Sequence, residues 1–147
     1  MLIQIAIGTV LLLASVLTAG ISLWFFELQL TRAAAWLTRA PQRPKLMLVL
    51  CATAVLVLLQ MTVAVWLWAV TLLGLGLFQT LEESIYFALV AFTTLGFGDI
   101  LLPVEWRLLG GMAALNGLLN IGLMTAAMVE AVRQLRLQQI AAMDRET

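Results

Sequence analysis

The chain has 147 residues, of which 63% are hydrophobic and 11% are charged, with a formal net charge of +0 and a mean hydropathy of +1.07. A soluble domain of this composition would expose more apolar surface than water tolerates, so we expect a lipid bilayer around the chain, and the balanced charge predicts no nucleic-acid partner. Histidine is absent and Cys51 is the only cysteine, which excludes a zinc site and an intrachain disulfide, and no apolar segment carries paired carboxylates, so we expect no enzyme, no cofactor and no soluble substrate.

Residues 1–26 are apolar apart from Gln4 and a few hydroxyl side chains. They are numerous enough to cross a hydrocarbon core of about 30 Å as a helix, and we interpret them as an N-terminal transmembrane helix. A cleaved signal peptide is the alternative. No positive residues precede the apolar stretch, and the hydrophobicity continues through Trp24, Phe25 and Phe26, which favours the membrane span.

A basic segment follows over residues 27–45, and we predict a cytoplasmic loop because short loops rich in Lys and Arg stay on that side. Apolar positions within it share one helical face, which also allows a short interfacial helix. Residues 46–73 are predicted to form the outer helix, which is long enough to require tilt or an extension beyond the membrane. Cys51 lies in this helix and is interpreted as a small packing residue.

The next segment, residues 80–93, is predicted to form a short helix. Thr80 and Glu83 have the spacing of a capping box, and Glu82 adds negative charge to the first turn, where the helix dipole favours it. About 13 residues at 1.5 Å each give roughly 20 Å, which is too short to cross the bilayer. The helix is therefore predicted to be re-entrant, and the non-helical residues after it must be buried in protein or line a water-filled path.

The last span, the inner helix, is predicted over residues 106–132. Residues 134–147 are predicted to be a short cytoplasmic tail, whose weak heptad pattern favours a small helical bundle outside the membrane. Only Arg107 is expected on the outer side. The positive residues expected on the other side are Arg32, Arg39, Arg43, Lys45, Arg133, Arg136 and Arg145. This asymmetry predicts an external N-terminus and a cytoplasmic C-terminus.

The residues after the short helix read TTLGFGD, from Thr93 to Asp99, and they resemble the signature sequence of potassium channels. The segment NGLLNIGLMTAAM, residues 116–128, resembles the inner helix of small bacterial two-span potassium channels. The resemblance covers about residues 46–133, and the first span lies outside it. It implies an all-α membrane protein, a tetrameric pore-loop cation channel with an outer helix, a re-entrant pore helix and filter, an inner helix and, here, one extra N-terminal helix.

The resemblance also implies the partners and the function of the chain. Each chain would bind three further copies of itself within the lipid bilayer of the plasma membrane, the inner membrane of a bacterium. The homotetramer would conduct K⁺ passively and select it over other ions. K⁺ would then be a permeant ligand rather than a cofactor.

The filter is predicted over residues 94–99. A desolvated K⁺ needs oxygen ligands in place of its hydration shell, and stacked rings of backbone carbonyls from four chains supply them. Successive carbonyls face one axis only if the backbone handedness alternates, and Gly96 and Gly98 adopt positive φ without a Cβ penalty. The predicted ligands are the carbonyls, and for the first residue also the hydroxyl, of Thr94, Leu95, Gly96 and Phe97.

Neighbouring residues are predicted to support the filter, namely Thr93, Gly98 and Asp99. Phe97 would pack its ring outward against the pore helices, and Asp99 would hydrogen-bond behind the filter and attract cations at the outer mouth. By the resemblance, Gly117 is the gating hinge. The positions that would line the cavity are Leu118, Ile121, Thr125 and Val129.

Two alternative functions are left open. Leu95 replaces the Val or Ile that is usual in the family, which keeps the carbonyl but changes the packing behind it, and this motivates a weakly selective monovalent cation channel. The extra first span motivates a non-conducting accessory subunit with a degenerate pore fold. Within the spans, Gln60, Asn116 and Asn120 are predicted either to hydrogen-bond neighbouring helices or to take part in ion passage.

Overall fold

The structure is a computed structural model that describes residues 1–37, 39 and 42–143. Its elements, in chain order, are α1 (Leu2–Leu37), α2 (Gln42–Gly74), α3 (Leu81–Phe92), a 3-10 turn (Val104–Trp106) and α4 (Arg107–Met143). The described part of the chain is helical and contains no strand. Since α1, α2 and α4 are long and apolar enough to cross a membrane, the chain is a multi-pass membrane protein of the all-α class.

The long helices extend well beyond a bilayer. Helix α1 has 36 residues and α4 has 37, so each is roughly 55 Å long at 1.5 Å per residue, against a hydrocarbon core of about 30 Å. The sequence prediction ended the first span at residue 26 and the last at residue 132, close to where charged residues appear. Charged side chains do not end a helix that has left the hydrocarbon, because water solvates them there and Arg and Glu are good helix formers.

The segment between the first two spans differs most from its prediction. The basic loop predicted over residues 27–45 is mostly helical, because α1 continues to Leu37 and α2 begins at Gln42. The interfacial helix is therefore the continuation of α1. The outer helix predicted over residues 46–73 corresponds to α2, which also includes Pro44, since proline is tolerated in the first turn of a helix.

The predicted tail, residues 134–147, belongs to α4 as far as Met143, and residues 144–147 lie outside the described part of the chain. At the end of the bundle opposite α3, the three long helices pack around a small apolar core of Leu37, Val49 and Leu135. Leu135 belongs to the segment with the heptad pattern, so this segment packs against α1 and α2 of its own chain.

Helix α1 runs parallel to α4 along its whole length. At one end the Gln4 side-chain amide donates to the Glu105 carbonyl, and at the other the Gln139 side-chain amide donates to the Leu37 carbonyl at 3.2 Å. Because α2 connects the far end of α1 to the segment that contains α3, it runs antiparallel to α1 and α4. The N-terminus therefore lies on the same side of the molecule as the loops around α3.

Six polar residues, which we call the midspan cluster, join the three long helices: Ser15, Thr18 and Ser22 of α1, Gln60 of α2, and Asn116 and Asn120 of α4. The Ser15 hydroxyl donates to Asn116 Oδ1 at 2.6 Å and accepts from Asn120 Nδ2 at 3.0 Å. The Gln60 amide donates to the Ser15 carbonyl at 3.1 Å and to the Thr18 hydroxyl at 3.0 Å. The Ser22 hydroxyl donates to Gln60 Oε1 at 3.2 Å. Of the two roles predicted for the amides, the structure supports hydrogen bonding between helices.

The C-terminal end of α1 is capped by side chains from the two neighbouring helices. The Lys45 ammonium group, in the first turn of α2, donates to the carbonyls of Trp36 at 2.6 Å and Arg39 at 2.7 Å. It also lies 4.7 Å from the centroid of the Trp36 ring, within cation–π range. Gln139 of α4 caps the Leu37 carbonyl. Because the last carbonyls of a helix have no partner within it, these contacts stabilise the end of α1 and hold α2 and α4 against it.

Replacing Lys45 by Ala should lower the free energy of unfolding by about 1.5–3 kcal/mol, the range for hydrogen bonds that involve a charged group. Lys45 is only 8% exposed, so water cannot readily replace its two carbonyl partners. The measurement is unfolding by SDS titration in mixed micelles, followed by tryptophan fluorescence.

Arg32→Ala is the matched control, since it removes one positive charge from an exposed position of α1. It should change the free energy of unfolding by less than about 0.5 kcal/mol. An equal loss of unfolding free energy in the two variants would show that the loss comes from removing a positive charge and not from removing the cap at the end of α1.

Candidate functional site

Helix α3 is the short capped helix that the sequence predicts. It spans Leu81–Phe92, 12 residues, with Thr80 and Thr93 as its N-cap and C-cap. The Thr80 hydroxyl accepts from the Glu83 N–H at 3.2 Å, while the Glu83 carboxylate accepts from the Gln79 N–H at 3.2 Å, one residue before the expected position. At about 18 Å the helix is too short to cross a bilayer.

The backbone after α3 alternates in handedness. Thr94, Gly96 and Gly98 have φ values of 59°, 59° and 78°, while Leu95 and Phe97 between them have no positive φ. Positive φ was expected at the two glycines but not at Thr94. A β-branched residue in this conformation is strained, at a cost of roughly 1–3 kcal/mol, and it persists only where its surroundings hold it.

The amides of this segment turn back towards α3 and leave the carbonyls free. The N–H groups of Leu95 and Gly96 both donate to the Val90 carbonyl, at 3.0 and 3.4 Å. Among the residues that the structure describes, no donor bonds the carbonyls of residues 94–97. The segment therefore offers a row of uncommitted oxygen atoms, to which the Thr94 hydroxyl is adjacent.

One chain leaves a continuous side of this site uncovered. Leu95 is 58% exposed and Phe97 is 66% exposed, and the whole stretch from Thr93 to Asp99 is exposed. The predicted packing of Phe97 against pore helices is absent within the described part of a single chain. The four positions predicted to line a cavity also form one exposed strip of α4: Leu118, Ile121, Thr125 and Val129. Large apolar surfaces of this kind mark sites of protein contact or membrane contact.

Asp99, the last residue of this segment, forms a side-chain hydrogen bond, and its partner is Tyr86 of α3. The Tyr86 hydroxyl donates to Asp99 Oδ2 at 2.6 Å. This bond stabilises the carboxylate, so it holds the pKa of Asp99 below its ordinary value and raises the pKa of Tyr86. No sequence pattern predicts this role for Tyr86, because only the turn between the two residues brings their side chains together.

Gly117 makes a close backbone contact with the end of α3. A Cβ atom on Gly117 would overlap the Phe92 carbonyl oxygen and lie 2.8 Å from the Phe92 Cα. Gly122, five residues further along α4, has open space at its Cβ position. The structure therefore explains the glycine at position 117 by close packing, and its role as a gating hinge stays a prediction.

Replacing Tyr86 by Phe should raise the pKa of Asp99, because the hydrogen bond that stabilises its carboxylate is lost. In the wild type that bond is fully formed above the ordinary pKa of aspartate and is lost as the pH falls through the lowered pKa. An NMR titration of the Asp99 carboxyl carbon should thus have its midpoint at higher pH in the variant. Phe87→Leu is the control, because it changes the neighbouring aromatic residue of α3 and leaves the Tyr86 hydroxyl in place. The midpoint of the Asp99 titration should not move in this variant.

Gly117→Ala should cost about 1–3 kcal/mol of unfolding free energy, as expected for an atom forced into a filled site. Gly122→Ala is the control, because its methyl group meets open space and alanine favours the helix. SDS titration of both variants checks this difference. If the two variants were equally stable, the close contact between Gly117 and Phe92 would be contradicted.

Comparison with known families gives one match. A family model described as ion channel matches residues 46–134, which comprise most of α2, α3, the segment after it and most of α4. Comparisons with curated proteins and with solved structures found no match. The matched residues make up more than half of the chain and leave α1 outside. The chain therefore belongs to this ion channel family, whose domain is of the two-span potassium channel type.

Proposed function

We propose that four copies of this chain form a channel that conducts K⁺ passively and selectively across the membrane. The observation that carries the proposal is the alternating backbone at Thr94, Gly96 and Gly98, together with the free carbonyls of residues 94–97. Four such rows around one axis would replace the hydration shell of a K⁺ ion. The negative end of each α3 dipole would favour a cation just below them.

The need for further copies follows from what one chain lacks. A single row of carbonyls contacts an ion from one side only. In an isolated chain, the exposed Leu95 and Phe97 side chains would also have no protein covering them. In a homotetramer, Phe97 would pack against neighbouring pore helices. The exposed strip of α4 that begins at Leu118 would line a shared cavity, and Gly117 would allow the inner helix to bend.

The supporting residues have separate proposed roles. Thr93 ends α3 and sets the start of the filter, and the Thr94 hydroxyl adds a ligand at its inner mouth. Gly98 supplies the last positive φ, and Asp99 attracts cations at the outer mouth while Tyr86 holds it in place.

The charge distribution supports an orientation within a bacterial inner membrane. Arg32, Lys45 and Arg133 lie towards the end of the helix bundle opposite the filter, whereas Arg107 lies at the filter end. The positive-inside rule then places the N-terminus and the filter outside and the C-terminus in the cytoplasm.

A second candidate is a monovalent cation channel of weak selectivity, and Leu95 is the observation that favours it. Its side chain branches at Cγ, whereas the Val or Ile of the related signature sequence branches at Cβ, so the packing behind the carbonyls would differ. Comparable sodium and potassium permeability in bilayer recordings would support this candidate over the first.

The decisive experiment is ion flux into liposomes that contain the purified full-length chain. We expect rubidium and potassium uptake with little sodium uptake, and native mass spectrometry of the same preparation should show four chains. Gly96→Ala should abolish selective uptake, because positive φ costs an L-residue roughly 1–2 kcal/mol in every chain. Gly20→Ala is the control, since its methyl group meets open space on α1.

Failure of the wild-type chain to pass potassium or rubidium would refute conduction and favour the accessory-subunit alternative. Selective uptake that survived in Gly96→Ala would refute the assignment of the filter. Selective uptake lost in Gly20→Ala as well would show that the loss is not specific to the filter.

A further inference from the structure

The N-terminal helix lies outside the segment that matches the ion channel family, yet its buried face packs against helices of that segment. Ser15 is 0% exposed, as are its partners Asn116 and Asn120 on α4. Serine and asparagine side chains are costly in hydrocarbon unless they are paired. Helix α1 is thus joined to α4 by hydrogen bonds that neither helix can replace with water.

These hydrogen bonds lie on the same turn of α4 as the contact between α4 and the end of α3. Asn116 precedes Gly117, and Asn120 lies one turn after it on the same helix. On the adjacent face of α4, Gly117 meets the Phe92 backbone, and Phe92 is the last residue of α3 before Thr93. The same turn of α4 is therefore hydrogen-bonded to α1 through Asn116 and Asn120 and packed through Gly117 against the end of α3, from which the proposed filter continues.

Two groups on this turn depend strongly on Ser15. The Ser15 hydroxyl is the interhelical partner of both Asn116 Oδ1 and Asn120 Nδ2, while Asn116 Nδ2 and Asn120 Oδ1 are buried without a partner. Loss of the hydroxyl would leave the two amides bonded only to each other and to the backbone of their own helix. Nothing polar would then hold this turn of α4 to α1.

We propose that Ser15 is a positioning residue for the selectivity filter: by anchoring Asn116 and Asn120, it holds Gly117 against Phe92 and so keeps the filter carbonyls in register. Helix α1 then contributes to the ion selectivity of the pore and does not only anchor the chain in the membrane. This inference rests on the proposed function, because the positions of the filter carbonyls have a measurable consequence only in a chain that selects among ions.

The test measures the sodium-to-potassium permeability ratio, PNa/PK, of the full-length chain in planar bilayers from reversal potentials under bi-ionic conditions. Ser15→Ala should raise PNa/PK by about three- to tenfold, the factor that corresponds to one or two interhelical hydrogen bonds in a membrane. Ser15→Cys keeps the size and a weak donor, so its ratio should fall between those of the wild type and Ser15→Ala.

Thr9→Ala is the matched control, because it removes a hydroxyl from an exposed position of the same helix. It should keep the wild-type PNa/PK. A purely structural role for Ser15 would lower the yield or the thermal stability of the channel without moving the ratio, so the permeability ratio separates the two roles.

An unchanged PNa/PK in Ser15→Ala, with a potassium-selective wild type, would overturn this inference and leave the proposed function intact. A wild-type chain without potassium selectivity would overturn the proposed function and this inference with it. Should Ser15→Ala fail to assemble, Ser15→Cys decides alone: an intermediate shift supports the role of Ser15, and the wild-type ratio contradicts it.

Discussion

The hydrocarbon core of a bilayer contains no water, so every polar group within it needs a partner in the protein or in a water-filled path. The long helices meet this requirement for their backbones, and the midspan cluster meets most of it for the side chains. The segment after α3 does not. Its amides turn back to Val90 while its carbonyls are left without donors, and the proposed channel resolves this imbalance by giving those carbonyls cations as partners.

Three kinds of contact hold the segment after α3, residues 94–99, and the end of α3 that precedes it. Backbone hydrogen bonds to Val90 hold the start of the segment, the hydrogen bond between Tyr86 and Asp99 holds its end, and Gly117 packs closely against Phe92, the last residue of α3. These restraints explain how Thr94 can keep a positive φ that a β-branched residue avoids. A strained loop between firm supports has a single conformation available, which is what a row of ligands requires.

Local patterns in the sequence predicted the elements, while contacts between distant residues needed the structure. Thr80 and Glu83 predicted the start of α3, and Gly96 and Gly98 predicted positive φ, because caps and glycines act over a few residues. Helices α1 and α4 continue beyond the predicted spans, because the charges that mark the edge of the hydrocarbon do not end a helix. Ser15 and Asn116 are 101 positions apart, so no local pattern could show that they pair.

The midspan cluster also implies an order of assembly during synthesis. Ribosomes add about 5–20 residues per second, so Ser15 enters the membrane several seconds before Asn116 exists. During that interval Gln60 is the partner within reach, since it bonds the Ser15 carbonyl and the Thr18 hydroxyl. We therefore expect α1 and α2 to form a hairpin first, with the Ser15 hydroxyl on its surface. Helix α4 would then complete the cluster by packing against a surface that α1 and α2 have already formed.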